Sequence, residues 1–198
     1  MKIIIVGATG TLGKHVTAAF ASEHEVIKAG SKSGDILVDI TNPASIEAFF
    51  EQTGKFDALV STTGSGYFGP LSTMTDANFR VGIDNKLMGQ INLVLMGQHY
   101  INPKGSFTLT TGILSEEPII LGANLSAVNG AIEAFARSAA IELVNDVRIN
   151  VVSPGVVEDS PGFFPYFPGH TPVSMKSVAQ AYVKSVLGFA SGQVIKVY

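Results

Sequence analysis

Cysteine is absent from the 198 residues, which removes disulfide frameworks, thiolate nucleophiles and thiolate metal ligands together. That absence leaves the redox compartment open, and no metal site is expected. Charge is also scarce: 15% of residues are charged against 46% hydrophobic. Much of the chain must therefore be buried, in a core or in a contact between subunits. There is no basic run, and the net charge is −3, which argues against nucleic acid as the main partner. No apolar run reaches membrane-spanning length, and the apolar opening lacks the charged start and cleavage site of a signal peptide. A soluble cytoplasmic protein with no membrane partner is expected. Internal repeats, low-complexity segments and linkers are missing too, so one domain over residues 1–198 is expected.

What is present is concentrated at the start. Lys2-Ile3-Ile4-Ile5-Val6 is a β-branched run of buried-strand type. It runs into Gly7-Ala8-Thr9-Gly10-Thr11-Leu12-Gly13, after which Lys14 to Phe20 reads as a helix. Glycines at these positions let a strand turn sharply and let backbone amides come within contact of a phosphate. The helix N-terminus then offers unpaired N–H groups and positive partial charge to a pyrophosphate. Gly7, Thr9, Gly10, Thr11, Leu12 and Gly13 are thus candidate contacts of a dinucleotide.

Further strands are expected at Glu25–Ala29, Asp35–Ile40, Asp57–Ser61, Ser106–Thr110, Arg148–Val152 and Gln193–Val197. Helices are expected from Pro43 to about Gln52, from about Asp76 to Tyr100, from about Asn124 to Val144, and near Ser174–Leu187. Only Ser31-Lys32-Ser33-Gly34 separates the second strand from the third, too little for a crossover helix. Strands alternating with helices imply an α/β fold: a doubly wound parallel sheet of Rossmann type in three α/β/α layers, with ligands at the carboxyl ends of the strands. The end of the second strand carries Ala29-Gly30-Ser31-Lys32-Ser33 and no carboxylate. A carboxylate there accepts both ribose hydroxyls of NAD. Ser31 and Lys32 suit a 2′-phosphate instead, so NADP(H) is the expected cofactor.

With these motifs in this order, the chain resembles the short-chain dehydrogenase/reductase family over nearly its whole length. Asp39, with Ile40 beside it, follows the third strand, where the family keeps an Asp that touches adenine. The segment ending in Thr62-Thr63-Gly64 is similar to the family's Asn-Asn-Ala-Gly and keeps only its glycine. Arg148-Ile149-Asn150-Val151-Val152-Ser153-Pro154-Gly155 is close to the strand-six signature whose Pro-Gly borders the nicotinamide. The resemblance implies cofactor contacts at Thr62, Thr63, Gly64, Pro154 and Gly155. It also implies hydride transfer between NADP(H) and a small carbonyl or alcohol substrate.

Departures from the family pattern fall where proton transfer takes place. The stretch Leu125 to Phe135 aligns without a gap on the family's Tyr-x-x-x-Lys helix, which puts Leu125 at the tyrosine and Asn129 at the lysine. Leucine has no proton to give. Asn129 has the groups to hydrogen-bond a ribose hydroxyl but no charge with which to depress a neighbouring pKa. The family's serine position falls on Thr110 or Thr111, with Thr111 the better match. Aligning the preceding helix on Gly89 puts Lys86 where the family has its asparagine, with Asn85 one position earlier. A partly buried ammonium can act as an acid or activate a phenol, and Tyr67 is the candidate phenol, with simple capping of the pocket as its other reading. The expected catalytic set is therefore Lys86, Thr111 and Tyr67. Tyr166 and His170 sit in the loop that covers substrate in the family and are given no role. The Phe163-Phe164-Pro165-Tyr166-Phe167 run suits a lid over an apolar substrate, core packing or a partner contact.

Two functional classes remain open at this point: an NADP(H)-dependent oxidoreductase, or a binding protein that has lost catalysis and senses NADP(H). A homodimer or homotetramer is expected in either case. Leu87, Met88, Ile91, Leu93, Val94, Leu95 and Met96 encircle their helix rather than forming one stripe. Ala127, Gly130, Ala131, Ala134 and Ser138 give the next long helix a face that allows close approach.

Overall fold

The computed structural model describes residues 1–198, and one seven-stranded sheet runs through them. Its strands are β1 (Lys2–Val6), β2 (Glu25–Gly30), β3 (Ile36–Leu37), β4 (Phe56–Ser61), β5 (Ile101–Thr110), β6 (Arg148–Pro154) and β7 (Val194–Val197). The order is β3-β2-β1-β4-β5-β6-β7, and every pairing is parallel. Parallel strands need crossovers, which cover both faces and make each strand apolar throughout. In β1, Ile4 and Val6 face one layer with Phe49, Phe50, Leu93 and Ile132. Ile3 and Ile5 face the other, with Val16, Phe20, Val178 and Tyr182. The first layer holds α2 (Pro43–Thr53), α4 (Met88–Gly97) and α5 (Ala123–Glu142); the second holds α1 (Thr11–Phe20) and α6 (Met175–Leu187). No helix is long and apolar enough to cross a membrane.

The structure corrects several expected boundaries. The third strand shrinks from six residues to Ile36–Leu37 because Asp39 is engaged in the start of α2. Its carboxylate accepts from Thr41 N and Oγ1 at 2.9 and 2.7 Å, and its amide donates to Ser45 Oγ. The first helix starts at Thr11, three residues earlier than expected. The fifth strand begins at Ile101 rather than Ser106, its register against β4 shifting between Phe56 and Ala58.

The expected helix from Asp76 to Tyr100 is three pieces: α3 (Asp76–Val81), a π-helical turn (Gly82–Leu87), and α4. Tertiary contacts account for the interruption. Asn124 at the start of α5 occupies the space beside Gly82, donating Nδ2 to Phe79 O at 2.6 Å and accepting from Tyr67 N at 2.8 Å. Just beyond, the buried Gln90 binds both backbone groups of Thr110: Nε2 donates to its carbonyl and Oε1 accepts from its amide, each at 2.8 Å. The β4–β5 ladder ends at Val60–Thr108, so Gln90 supplies the bonds that a longer β4 would have made.

Candidate active site

Two clefts open along the carboxyl edge of the sheet and share Gly64. The first, of about 420 Å³, lies over the ends of β1, β2 and β4. It gathers Gly7, Thr9 and Gly10 with Ser31, Lys32, Asp39, Ile40, Thr62, Thr63 and Gly64, as the sequence suggests, together with Ser65 and Asn85. Its geometry is held by short hydroxyl contacts. Thr62 Oγ1 donates to Val6 O and Gly7 O, both at 3.1 Å, locking the turn after β4 onto the turn after β1. Thr9 Oγ1 and Ser33 Oγ are 2.9 Å apart and close the loop that carries the exposed Lys32. Thr63 Oγ1 bonds Ser61 Oγ at 2.8 Å. The Thr41 hydroxyl and amide hold the Asp39 carboxyl below the usual range.

At one end of this cleft α1 begins with no side-chain cap and no acidic residue in its first turn. Its first-turn amides are therefore free to take an anion. Gly13 is required by close packing: a Cβ there would collide with Gly7 O and Ala8.

The second cleft, of about 380 Å³, lies over β5 and β6. Lys86, Thr111, Gly112, Asn129, Pro154 and Gly155 line it beside Thr11 and Leu12. Lys86 projects from the π-helical turn and is 8% exposed. Its Nζ donates to Thr111 O at 3.4 Å and has no carboxylate within ion-pair distance. Burial without a counter-charge pulls its pKa down to about 8. Gly64 makes room for it. Its φ is +118°, and a Cβ would stand 2.5 Å from Lys86 Cγ. Asn85 turns the other way and accepts from Ser65 N at 2.6 Å, fixing the loop after β4.

The two threonines separate cleanly. The Thr110 hydroxyl lies in the core, donating to Ser61 O at 2.5 Å and meeting Tyr182 Oη at 2.6 Å. Thr111 lines the cleft, and its hydroxyl donates to Glu133 Oε1 at 3.1 Å. Ser115 Oγ donates to the same oxygen at 2.7 Å, and Glu133 is 4% exposed. Sequence reasoning missed Glu133 and Ser115. The signal for Glu133 was its spacing, since positions 125, 129 and 133 share one helix face. Asn129 Nδ2 points to Gly112 O at 3.3 Å, while its Oδ1, fully shielded, has no partner.

The remaining candidates lie apart. Tyr67 does not line the cleft, because its ring is packed over Gly69. Tyr166 and His170 line a separate cavity with Glu117, which His170 meets at 3.4 Å. The one Tyr-x-x-x-Lys spacing in the chain, Tyr100 to Lys104, falls at the amino end of β5, away from both clefts. The cleft roof comes from the segment between β6 and α6. Its base is clipped by Val157 pairing with Val173, and Asp159 is bound by Lys14 at 2.9 Å and His15 at 3.0 Å.

Comparison with known proteins agrees with this fold. A family model described as enoyl-(acyl carrier protein) reductase matches residues 4–182. The crystal structure of the protein lin1944 from Listeria innocua superposes with a TM-score of 0.98 at 52% identity, over 100% of both chains. A small-chain dehydrogenase in complex with NADPH superposes with a TM-score of 0.89 at 27% identity, over 100% of this chain and 96% of that one. An uncharacterized oxidoreductase of Methylorubrum extorquens is 26% identical over 137 residues, covering 67% of this chain and 55% of its own. The chain spans about half the length of the curated relatives it matches. With a glycine turn opening a parallel sheet, clefts along its carboxyl edge and a family model spanning most of its length, the chain belongs to the short-chain dehydrogenase/reductase family.

Proposed function

We propose that this protein is an NADP(H)-dependent oxidoreductase that interconverts a carbonyl and an alcohol, with Lys86 as its proton donor and acceptor. The observation that carries the reading is Lys86 itself, a buried ammonium with no carboxylate partner, standing where the two clefts meet. Holding a charge there costs stability, and a site that moves a proton near neutral pH is the return for that cost.

The residues present fit a dinucleotide. The uncapped α1 and the close-packed Gly13 would take the pyrophosphate, with Thr9, Thr11 and Leu12 beside it. Asp39 and Ile40 would border the adenine, and Ser31 and Lys32 the 2′-phosphate. The unpartnered Asn129 Oδ1 would accept from a ribose hydroxyl, with Thr62, Thr63, Gly64, Pro154 and Gly155 completing the bed. The cofactor supplies the hydride chemistry. Thr111 keeps a place in the cleft, but its hydroxyl hydrogen is directed to Glu133, so toward a substrate it accepts rather than donates.

Titrating NADPH and NADH by fluorescence tests the cofactor assignment. NADPH should bind at least about tenfold more tightly, and Lys32→Ala should remove most of that preference. Equal affinities would contradict it. The activity is tested by NADPH oxidation against quinones, ketones and aldehydes, where Lys86→Met should lower kcat by about 10²–10⁴-fold. Tight NADPH binding with no turnover on any carbonyl would instead place the protein among cofactor sensors.

A further inference from the structure

We infer that the second cleft takes an uncharged, conjugated ring carbonyl, a quinone or close relative, rather than a thioester carried on a phosphorylated arm. The inference rests on the oxidoreductase reading above and narrows its substrate. The first ground is the wall. Leu125, Leu114, Val156, Phe167, Phe68 and Phe163 line the space above Lys86. Phe68 and Phe163 come from different loops and meet with ring centroids 5.7 Å apart at 43°, so an aromatic pair bridges the two sides of the cleft. Flat, apolar rings are what such a pair grips.

The second ground is charge. Lys86 is the only lysine, arginine or histidine among the residues lining the cleft. Lys14 and His15, which reach the roof segment, are already bound to Asp159, and Lys196 is bound to Glu116. Beyond Lys86, nothing in the lining offers the free cations that would hold a phosphorylated carrier.

The third ground is the supply of donors. Thr111 and Ser115 both give their hydroxyl hydrogens to Glu133, and the Asn129 amide is directed to Gly112 O. No phenol or imidazole lines the cleft. The Thr11 and Ser160 hydroxyls also line the cleft, so Lys86 is the one charged donor for a reacting oxygen and not the only donor. Reduction of a simple ketone develops an alkoxide about as basic as hydroxide, and one missing oxyanion donor costs about 10²–10³ in rate. A quinone spreads the same charge into its ring and ends as a phenolate of pKa about 10. One charged donor suffices for it.

A quinone gains one hydride, and with it two electrons, from a reduced nicotinamide dinucleotide as external reductant. The C4–H bond of that reductant breaks and an O–H bond forms at one quinone oxygen, which leaves the negative charge on the other. The hydroquinone monoanion takes one proton from Lys86 Nζ, which recovers it from water.

The test uses the full chain and two independent readouts. In turnover with NADPH, kcat/KM for 2-methyl-1,4-naphthoquinone should exceed that for crotonyl-CoA and for glyceraldehyde by about 100-fold or more. In binding, 1-naphthol should be held by the NADP⁺-saturated protein, as read by its own fluorescence polarisation. Phe68→Ala and Phe163→Ala should each weaken that binding by about tenfold, and Phe163→Leu should restore part of it. Melting curves and NADPH affinity verify that each variant is folded. Preference for crotonyl-CoA or glyceraldehyde overturns the inference and leaves the oxidoreductase reading standing. So does naphthol binding that ignores both substitutions while some carbonyl is turned over. Ring binding at the Phe pair with no turnover of any carbonyl supports the ring site and overturns the oxidoreductase reading instead.

Discussion

At the scale of single residues, Lys86 carries a stability cost beside its proposed role. Its pKa falls from the ordinary 10.5 to about 8 through burial, equivalent to about 3 kcal/mol against keeping the ammonium inside. Between pH 8 and 10.5 the unfolded chain binds this proton and the folded chain does not, so this group makes stability rise with pH across that window. Below pH 8 both states are charged and the full penalty applies. Lys86→Met should therefore stabilise the protein by about 1–3 kcal/mol at pH 7, with the gain shrinking toward pH 10.5. Urea denaturation at several pH values checks this, and a destabilised Lys86→Met at pH 7 would contradict it. Lys86 was legible in the sequence because Gly89 anchors the alignment and apolar neighbours surround it. Its isolation from any carboxylate was not, since that depends on where α5 and the loops place Glu133 and Asp159. Tyr67 shows the reverse case: the right residue type in the right loop, turned away by its packing on Gly69.

At the scale of elements, strands and crossover helices were readable because fully buried parallel strands are β-branched runs bounded by turns. What pattern alone missed is the π-helical turn that delivers Lys86 and Asn85 to opposite clefts. Local propensity has no reason to break the helix there; the cause is Asn124, 42 residues on, filling the space at Gly82. Gln90 was hidden in the same way, as one polar residue in an apolar stretch. It satisfies two buried backbone groups of Thr110, so Gln90→Leu should cost about 2–4 kcal/mol by stranding both. Denaturant unfolding reads this directly, and a loss under about 0.5 kcal/mol would show that another group replaces the amide. The seven apolar residues that encircle the end of the π-helical turn and α4 also divide. Leu93 and Val94 enter the core, whereas Met88 and Leu95 are exposed.

At the scale of the whole molecule, a parallel sheet concentrates the loops that follow its strands along one edge, and both clefts lie there. The outer faces of α4 and α5 are the surface we propose for a second copy. Ala127, Ala134 and Ser138 lie exposed on α5, and Gly130 has open space beside it. Light scattering at micromolar concentration should give at least twice the 20.8 kDa of one chain, and a monomer mass would contradict the proposal. The central claim, however, is that one buried ammonium supplies the proton for carbonyl reduction, and the pH dependence of kcat/KM tests it most directly. The protonated form is the donor, so reduction by NADPH should be level below pH 8 and fall tenfold per unit above it. The break should lie near the Lys86 value of about 8 and vanish in Lys86→Met. A profile level through pH 9, or one with the same break in Lys86→Met, would contradict the account.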